Sequence, residues 1–272
     1  MILFIASKRD AAAINIAEKL IANHGFECSI ETYDGNPVFS MKLPNGKTAN
    51  LIYIGIDSIS TQSTVFPSPA ELLVFLSRHK SLSGKPTLSV HTPGNLGKAE
   101  LGGLPRTVSV SPASTMKEAL KAMKAAKEEA GLEYEVCYEC THHGPSLNVP
   151  TMFVELGSSE EQWADKDAAE AVARGAFAAA SIKTIYPTVL GIGGPHYNAK
   201  FTREALETEI AFGHIVPKYA VKELDSEVLQ QCVSRTVEPV KKVVLDWKGI
   251  TGADKKQLLR LLAETNLEIK KI

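Results

Sequence analysis

Short apolar runs that alternate with helix-length stretches, and that stop on an ionisable side chain beside glycine or proline, constrain this chain more than any other feature. Residues 2–6 form a continuous apolar run of the kind buried on both faces of a sheet, and the Ser7-Lys8-Arg9-Asp10 turn leads from it into a helix over 11–23 closed by Gly25. Strands follow at 26–33, 38–43 and 49–55, with Asn45-Gly46 between the last two as a type I′ hairpin turn. Pro67-Ser68-Pro69 opens a helix to about His79. The strand 87–90 ends in His91-Thr92-Pro93-Gly94-Asn95, and a glycine-rich loop, 96–106, precedes a short strand at 107–110. Ser114 or Thr115 caps a helix to Ala130; strands occupy 132–140 and 151–156; a Ser159/Gln162 capping box opens a long alanine-rich helix to Ile182. A strand at 188–192 is followed by a helix that Thr202 caps and Gly213 ends. The last stretch reads as helix 226–236, strand 241–246, helix 252–264 behind a Thr251/Asp254 box, and strand 267–272.

Strands separated by helices call for a parallel sheet, because parallel neighbours need crossover connections, and the early hairpin adds antiparallel strands. The expected fold class is therefore α/β, with a mixed, largely parallel central sheet flanked by helices. The chain is expected to be a single domain over 1–272, with 218–272 as a C-terminal structural extension packed on it. Four cysteines, at 28, 137, 140 and 232, are too few and too irregular for a disulfide framework. Neither a basic leader nor an apolar run of roughly 18 residues is present. The expectation is a soluble cytoplasmic protein without a membrane segment or an evident obligate protein partner. The formal net charge of −1 gives no bulk attraction for a polyanion, so any nucleic-acid contact must rest on a local patch.

In an open α/β sheet, ligands sit beyond the carboxyl ends of the strands. Four expected strands end there on His91, on His142 and His143, on Glu155 and on His196, each next to glycine or proline. Seven randomly placed histidines would seldom do this, so convergence into one site is the better reading. His142 and His143 are adjacent and point to opposite faces of an extended chain, so both can enter one site only if the backbone bends, as Gly144-Pro145 would allow. Cys137 and Cys140 would lie on opposite faces of a strand and read as core. Cys140 and His142 share a face, but nothing in the sequence marks a lowered thiol pKa. Lys117, Lys121 and Lys124 lie on one helix face, and a solvated face is favoured over a phosphate stripe. Asp246-Trp247-Lys248-Gly249 reads as a buried tryptophan beside a turn.

No Gly-x-Ser-x-Gly elbow, His-Glu-x-x-His or phosphate-binding Gly-x-x-x-x-Gly-Lys-Ser/Thr occurs. What remains is histidine, glutamate, Asn198 and loop amides. That set suits ester hydrolysis with a histidine or a metal-bound water as base, and with N–H groups near Gly193-Gly194 or Gly157-Ser158 holding the oxyanion. Histidines with Glu155 also suit zinc.

At these residues the chain resembles the archaeal and plant type of D-aminoacyl-tRNA deacylase. The resemblance rests on Thr141-His142-His143-Gly144-Pro145, Phe153-Val154-Glu155-Leu156-Gly157-Ser158, Gly193-Gly194-Pro195-His196-Tyr197-Asn198-Ala199-Lys200-Phe201-Thr202 and Gly213-His214-Ile215-Val216-Pro217-Lys218-Tyr219. Ser7, Asp10, Ile56-Asp57-Ser58-Ile59 and the loop after His91 agree with it, so it spans the chain. It implies a carboxylic ester hydrolase that frees a D-amino acid from the terminal ribose of tRNA, including D-aminoacyl-tRNA with a small-aldehyde adduct. It also implies zinc and a fold related to nucleoside phosphorylases and peptidyl-tRNA hydrolases. Catalytic roles then fall to His142, His143, Glu155, His196 and His214, with His142, His196 and Glu155 as metal ligands. His91, Gly193, Gly194, Tyr197, Asn198, Lys200, Lys218 and Tyr219 would bind the tRNA acceptor end, the lysines at phosphates and a tyrosine under the terminal base. A nucleoside phosphorylase or hydrolase would act on free nucleosides instead, and a non-catalytic RNA-binding module would tolerate loss of His142 and His196.

Overall fold

A computed structural model describes residues 1–67 and 69–272. Among the described residues fourteen strands are seen: β1 Ile2–Ser7, β2 Glu27–Tyr33, β3 Asn36–Lys42, β4 Thr48–Ile54, β5 Leu72–Arg78, β6 Thr87–His91, β7 Gly94–Asn95, β8 Thr107–Val108, β9 Glu135–Tyr138, β10 Thr151–Gly157, β11 Thr188–Ile192, β12 Ala211–Val216, β13 Val240–Leu245 and β14 Glu268–Lys271. The helices are α1 Ala11–Asn23, α2 Ala113–Ala130, α3 Glu160–Ala164, α4 Lys166–Ser181, α5 Ala199–Glu207, α6 Ser226–Ser234 and α7 Gly252–Ala263.

Two sheets carry the mixed α/β architecture. The larger has the order β2-β3-β4-β1-β5-β10-β6-β9, and the smaller, β12-β11-β13-β14, is parallel throughout. In the larger sheet β1 pairs in parallel with β4 and β5, and β5 with β10, whereas β6 runs antiparallel to β10. One face of this sheet packs Phe4, Val74, Val154 and Leu88 against Ile16, Leu120, Val172 and Ala176 of α1, α2 and α4. The other face presents Leu3, Ile5, Phe75 and Phe153, covered by Phe66, Leu147 and Val149 from connecting segments, not by helices. That second face leads into the site.

Several local expectations change. Residues 72–78 are a strand, not the end of a helix opened at Pro67-Ser68-Pro69; of that tripeptide, Ser68 lies outside the described residues. The run Leu-Leu-Val-Phe-Leu is buried on both faces in parallel pairing with β1 and β10, an environment that favours continuous apolar sequence. Residues 211–216 are likewise a strand, so Gly213 sits inside β12 and the helix before it is α5, capped by Asn198 through the Phe201 N–H and not by Thr202. Asp165 divides the expected alanine-rich helix by accepting from the N–H groups of Asp167 and Ala168, which starts α4 afresh. The type I′ turn belongs to Asp34-Gly35, both at positive φ, between β2 and β3. At Asn45-Gly46 only Gly46 has positive φ, and its N–H donates to the Leu43 carbonyl. Helix α2 begins at Ala113, where the Glu238 carboxylate accepts from the first two N–H groups. The loop after β13 leaves Trp247 half-buried.

The lysine face of α2 is neither solvated nor free for phosphate at its first position. Lys117 is 2% exposed, donates to the carbonyls of Thr208 and Ile210, and lies 4.4 Å from the Tyr186 ring centroid. Lys121 bonds Glu118 and Tyr186, and Lys124 pairs with Glu128. Lys117 thus joins α2 to the turn before β12. Lys117→Ala removes the bonds to both carbonyls and the contact with the Tyr186 ring, and is expected to cost about 1–3 kcal/mol, read as a lower urea midpoint at unchanged slope.

Candidate active site

The site forms at the seam between the two sheets. Side chains two apart on a strand share a face, so Phe153 and Glu155 of β10, Ser77 of β5, and Ser89 and His91 of β6 line one surface. The smaller sheet is stitched to it: Cys140 N–H donates to the His196 carbonyl, Thr141 N–H to Ile215, and Asn198 N–H to Tyr138. These bonds bring the turn after β11, with His196 and Tyr197, over that surface. Convergence therefore occurs by a different route from the expected parallel carboxyl ends, since β6 is antiparallel and β11 belongs to the second sheet.

Five histidines, 79, 91, 142, 143 and 196, gather there around two buried carboxylates. Glu139, 2% exposed, accepts from His196 Nε2 at 2.8 Å, His79 Nδ1 at 3.2 Å and Ser89 Oγ. Burial works against its charge, but the His196 hydrogen bond and the neighbouring imidazoles hold its carboxyl well below the usual range. Glu155 lies 3.4 Å from His79 Nδ1, and burial pushes its carboxyl up to about 7 despite that contact. His79 also meets the Tyr197 hydroxyl; burial opposes its protonation, yet Glu155 and Glu139 raise its pKa.

Cys140 is not inert core. Its Sγ lies 3.3 Å from both His196 Nδ1 and the Tyr219 hydroxyl. Burial would raise the thiol, but the adjacent His142 and His196 imidazoles bring it down to about 6, while burial raises the Cys137 thiol well above its usual value. His196 in turn resists burial and is held up at about 10 by Cys140 and Glu139. A thiolate–imidazolium pair results.

His91, His142 and His143 form a different kind of group. His142 Nδ1 donates to the Cys140 carbonyl at 2.8 Å and His143 Nδ1 to the Gly144 carbonyl at 2.7 Å, so each neutral ring presents a bare Nε2. His91 Nε2 lies 3.3 Å from His143 Nε2, and buried His91 Nδ1 has no partner. Burial lowers all three, with neighbouring imidazoles adding to it, and His143 falls to about 4. Both adjacent histidines enter because His143 itself adopts φ 42°. Gly144 fixes the bend: a Cβ there would lie 2.1 Å from the Gly103 nitrogen, and its N–H donates to the Leu101 carbonyl. Leu101, 59% exposed, is thereby held over the cluster.

Two clefts meet at this point. One of about 660 Å³ is lined by Asp10, Ser58, Arg78, His79, Glu155 and Tyr197; the other, of about 680 Å³, by Asn95, Lys98, Glu100, Tyr219 and Lys222. His142, His143, His196 and Leu101 line both.

Other expected residues sit elsewhere. His214 is fully buried between the Thr141 hydroxyl and the Arg235 carbonyl, outside both clefts. Asn198 is spent on capping α5 and on the Gly193 carbonyl. The Gly193 N–H donates to Val216 and the Ser158 N–H to Gln162, so neither is free for an oxyanion. Gly194 accepts from the Lys218 N–H, and Lys200 pairs with Asp246 at 2.5 Å. His142 and His196 approach each other with Cys140, whereas Glu155 groups with His79 and Glu139, so His142, His196 and Glu155 do not form one metal set. Sequence reasoning missed His79, hidden at the end of a misassigned helix, and Glu139, whose signal was an acidic residue in an apolar run.

Burial lowers the His214 pKa to about 4, against its hydrogen bonds. A folded pKa below the unfolded value of about 6.5 gives stability that is present above pH 6.5 and lost as pH falls toward 4, up to about 3 kcal/mol. His214→Asn should reduce this acid-limb slope in denaturation measured from pH 7.5 to 4. In the same assay, Gly144→Ala should lower the denaturant midpoint at every pH.

The D-aminoacyl-tRNA deacylase family model matches residues 66–270. A D-aminoacyl-tRNA deacylase of Pyrococcus furiosus is 40% identical over 98% of both chains, and one of Thermococcus onnurineus 39% identical over the same shares. A third, from Methanosarcina acetivorans, is 35% identical over 99% of this chain and 92% of its own length. A crystal structure described as a conserved protein of unknown function superposes with TM-score 0.85 at 28% identity, covering 100% of this chain and 95% of that one. With the matched region spanning the cleft-lining histidines, this chain belongs to the D-aminoacyl-tRNA deacylase family.

Proposed function

We propose that the chain hydrolyses the ester between a D-amino acid and the terminal ribose of tRNA, at the junction of the two clefts. The observation that carries this reading is that junction: in a chain of this family, two clefts of similar size meet over one imidazole cluster. The ester is an activated acyl donor, so positioning, a base and a fixed positive charge suffice. Glu155, with a pKa of about 7, takes the proton of the attacking water; a carboxylate poised near working pH is half-ionised there. His196, kept charged by Glu139 and Cys140, faces the oxyanion electrostatically, and the buried Glu139 carboxylate orients it. The aldehyde-modified D-aminoacyl-tRNA belongs to the same substrate class. The chain is proposed to act in the cytoplasm.

Zinc is proposed at His91, His142 and His143. Three imidazoles with lowered pKa values, His91 buried and His142 and His143 half-buried, the latter two donating Nδ1–H to backbone carbonyls and turning Nε2 inward, match the way metal-bound histidines are oriented. The unpartnered His91 nitrogen adds to that fit. When bound there, zinc supplies Lewis acidity toward the ester carbonyl or its attacking water.

Matched D- and L-aminoacyl-tRNA are offered to purified protein before and after chelation, with metal content read in parallel. Cleavage of the D-ester, lost with zinc and restored by it, is expected; D-selective cleavage that survives complete metal removal sinks the zinc assignment alone, and absence of cleavage under all conditions sinks the functional reading. Because the Glu155 carboxylate is the active form, kcat/KM on the D-ester should rise with pH through about 7. Glu155→Gln should lose about 100-fold and flatten that limb.

A further inference from the structure

Charge is distributed unevenly along the chain. Residues 239–272 hold eight Lys and Arg against four Asp and Glu, whereas residues 1–238 hold 22 against 27. The acidic excess of the first part conceals a basic C-terminal part within a near-neutral total.

The parallel smaller sheet places this charge beside the site. All four of its strands leave by the same edge, in the order β12-β11-β13-β14. β12 delivers Pro217, Lys218 and Tyr219; β11 delivers His196 and Tyr197; β13 delivers Asp246, Trp247 and Lys248; and β14 delivers Lys271. The edge is continuous in backbone contact: Lys218 N–H donates to the Gly194 carbonyl, and a Cβ on Gly249 would lie 3.2 Å from the Gly194 nitrogen. Strands are spaced about 4.8 Å apart, so the end of β14 lies roughly 10 Å across the sheet from that of β11. Trp247, whose N–H donates to the Ile272 carbonyl, is flanked by Lys271 Nζ at 4.0 Å and Lys255 Nζ at 4.8 Å from its ring centroid. Cation–π contact thus sets two ammonium groups around one ring. Lys218, Lys248, Lys255 and Lys271 form no ion pair among the described residues, in contrast to Lys200 with Asp246, Lys242 with Glu268 and Lys270 with Glu204.

We propose that this edge, from Lys218 through Lys248 to Lys255 and Lys271, is the docking surface for the phosphate backbone of the tRNA acceptor stem. The inference rests on the deacylase reading, which puts the 3′ end of the RNA at His196. A duplex whose terminal nucleotide enters the clefts must continue past one side of the site, and this edge offers unpaired cations in a row starting there. Ammonium groups without base-reading side chains suit a partner recognised by backbone charge, whatever its sequence.

The test compares the full chain with K248E/K255E/K271E, and with K124E/K127E/K183E as a variant of equal charge change away from this edge. Three readouts are taken: anisotropy with uncharged tRNA across salt concentrations, kcat/KM on D-aminoacyl-tRNA, and kcat/KM on a D-aminoacyl ester of a short 3′-terminal oligonucleotide. The edge variant should weaken tRNA binding at least about 10-fold and lower the salt slope by about one per lysine removed. Its kcat/KM should fall on tRNA and hold on the short ester, with the control variant near wild type. K248Q/K255Q/K271Q should show the same order at smaller amplitude, which separates charge from misfolding. Equal tRNA binding by wild type and edge variant overturns the proposal, as does an equal loss in the control. Binding to anionic vesicles in place of tRNA overturns it in favour of a membrane surface. Failure of wild type to cleave either ester removes the deacylase reading, while the anisotropy still decides whether this surface binds RNA.

Discussion

Glu139 is a carboxylate with almost no access to water, and it stays ionised because the fold surrounds it with donors. Ser89 comes from β6, His79 from the residue after β5, and His196 from the turn after β11 in the second sheet. An unpaired charge at this depth would cost several kcal/mol, so any displacement of these elements raises the energy of the whole seam. The seam is consequently one unit. Bringing His196 to Glu139 requires the backbone bonds from 140 and 141 to 196 and 215, and those in turn place His142 and His143.

Around that carboxylate the histidines divide by environment. His79 and His196 touch carboxylate or thiolate, which raises their pKa values; burial, with neighbouring imidazoles adding to it, lowers those of His91, His142 and His143. His142 illustrates the boundary. Its bare Nε2 lies 3.7 Å from a Glu139 oxygen, two acceptors facing each other, an arrangement that a cation between the three neutral rings would relieve. Equal residue types thus receive opposite electrostatic roles within one cluster.

Much of this was legible in the sequence and some was not, for definable reasons. The apolar runs and caps located most strands and helices, and the glycine-flanked histidines marked the site. Two runs, Leu72-Leu73-Val74-Phe75-Leu76 and Ala211-Phe212-Gly213-His214-Ile215-Val216, carry no alternation because both their faces are buried, and periodicity cannot separate such strands from buried helix. That error hid His79 and gave His214 a prominence it lacks. Alternation also misplaced Cys140: β9 ends at Tyr138, so the two-residue rule no longer applies two positions later. The pairing direction of β6 and the division into two sheets are long-range facts, set by which surfaces bury each other.

Chirality is a matter of where the substituents of one carbon can go, and here the walls are backbone. Gly102 and Gly103, both at positive φ, pack against Gly144 so closely that no side chain fits between them, and Asn95 Nδ2 donates to the Gly102 and Leu104 carbonyls. Leu101 projects from this fixed strip into the junction and lines both clefts. A wall pinned through glycine contacts and carbonyl bonds yields little on binding, so a substituent directed at it is rejected at full steric cost. Discrimination of this kind needs no contact specific to one amino acid.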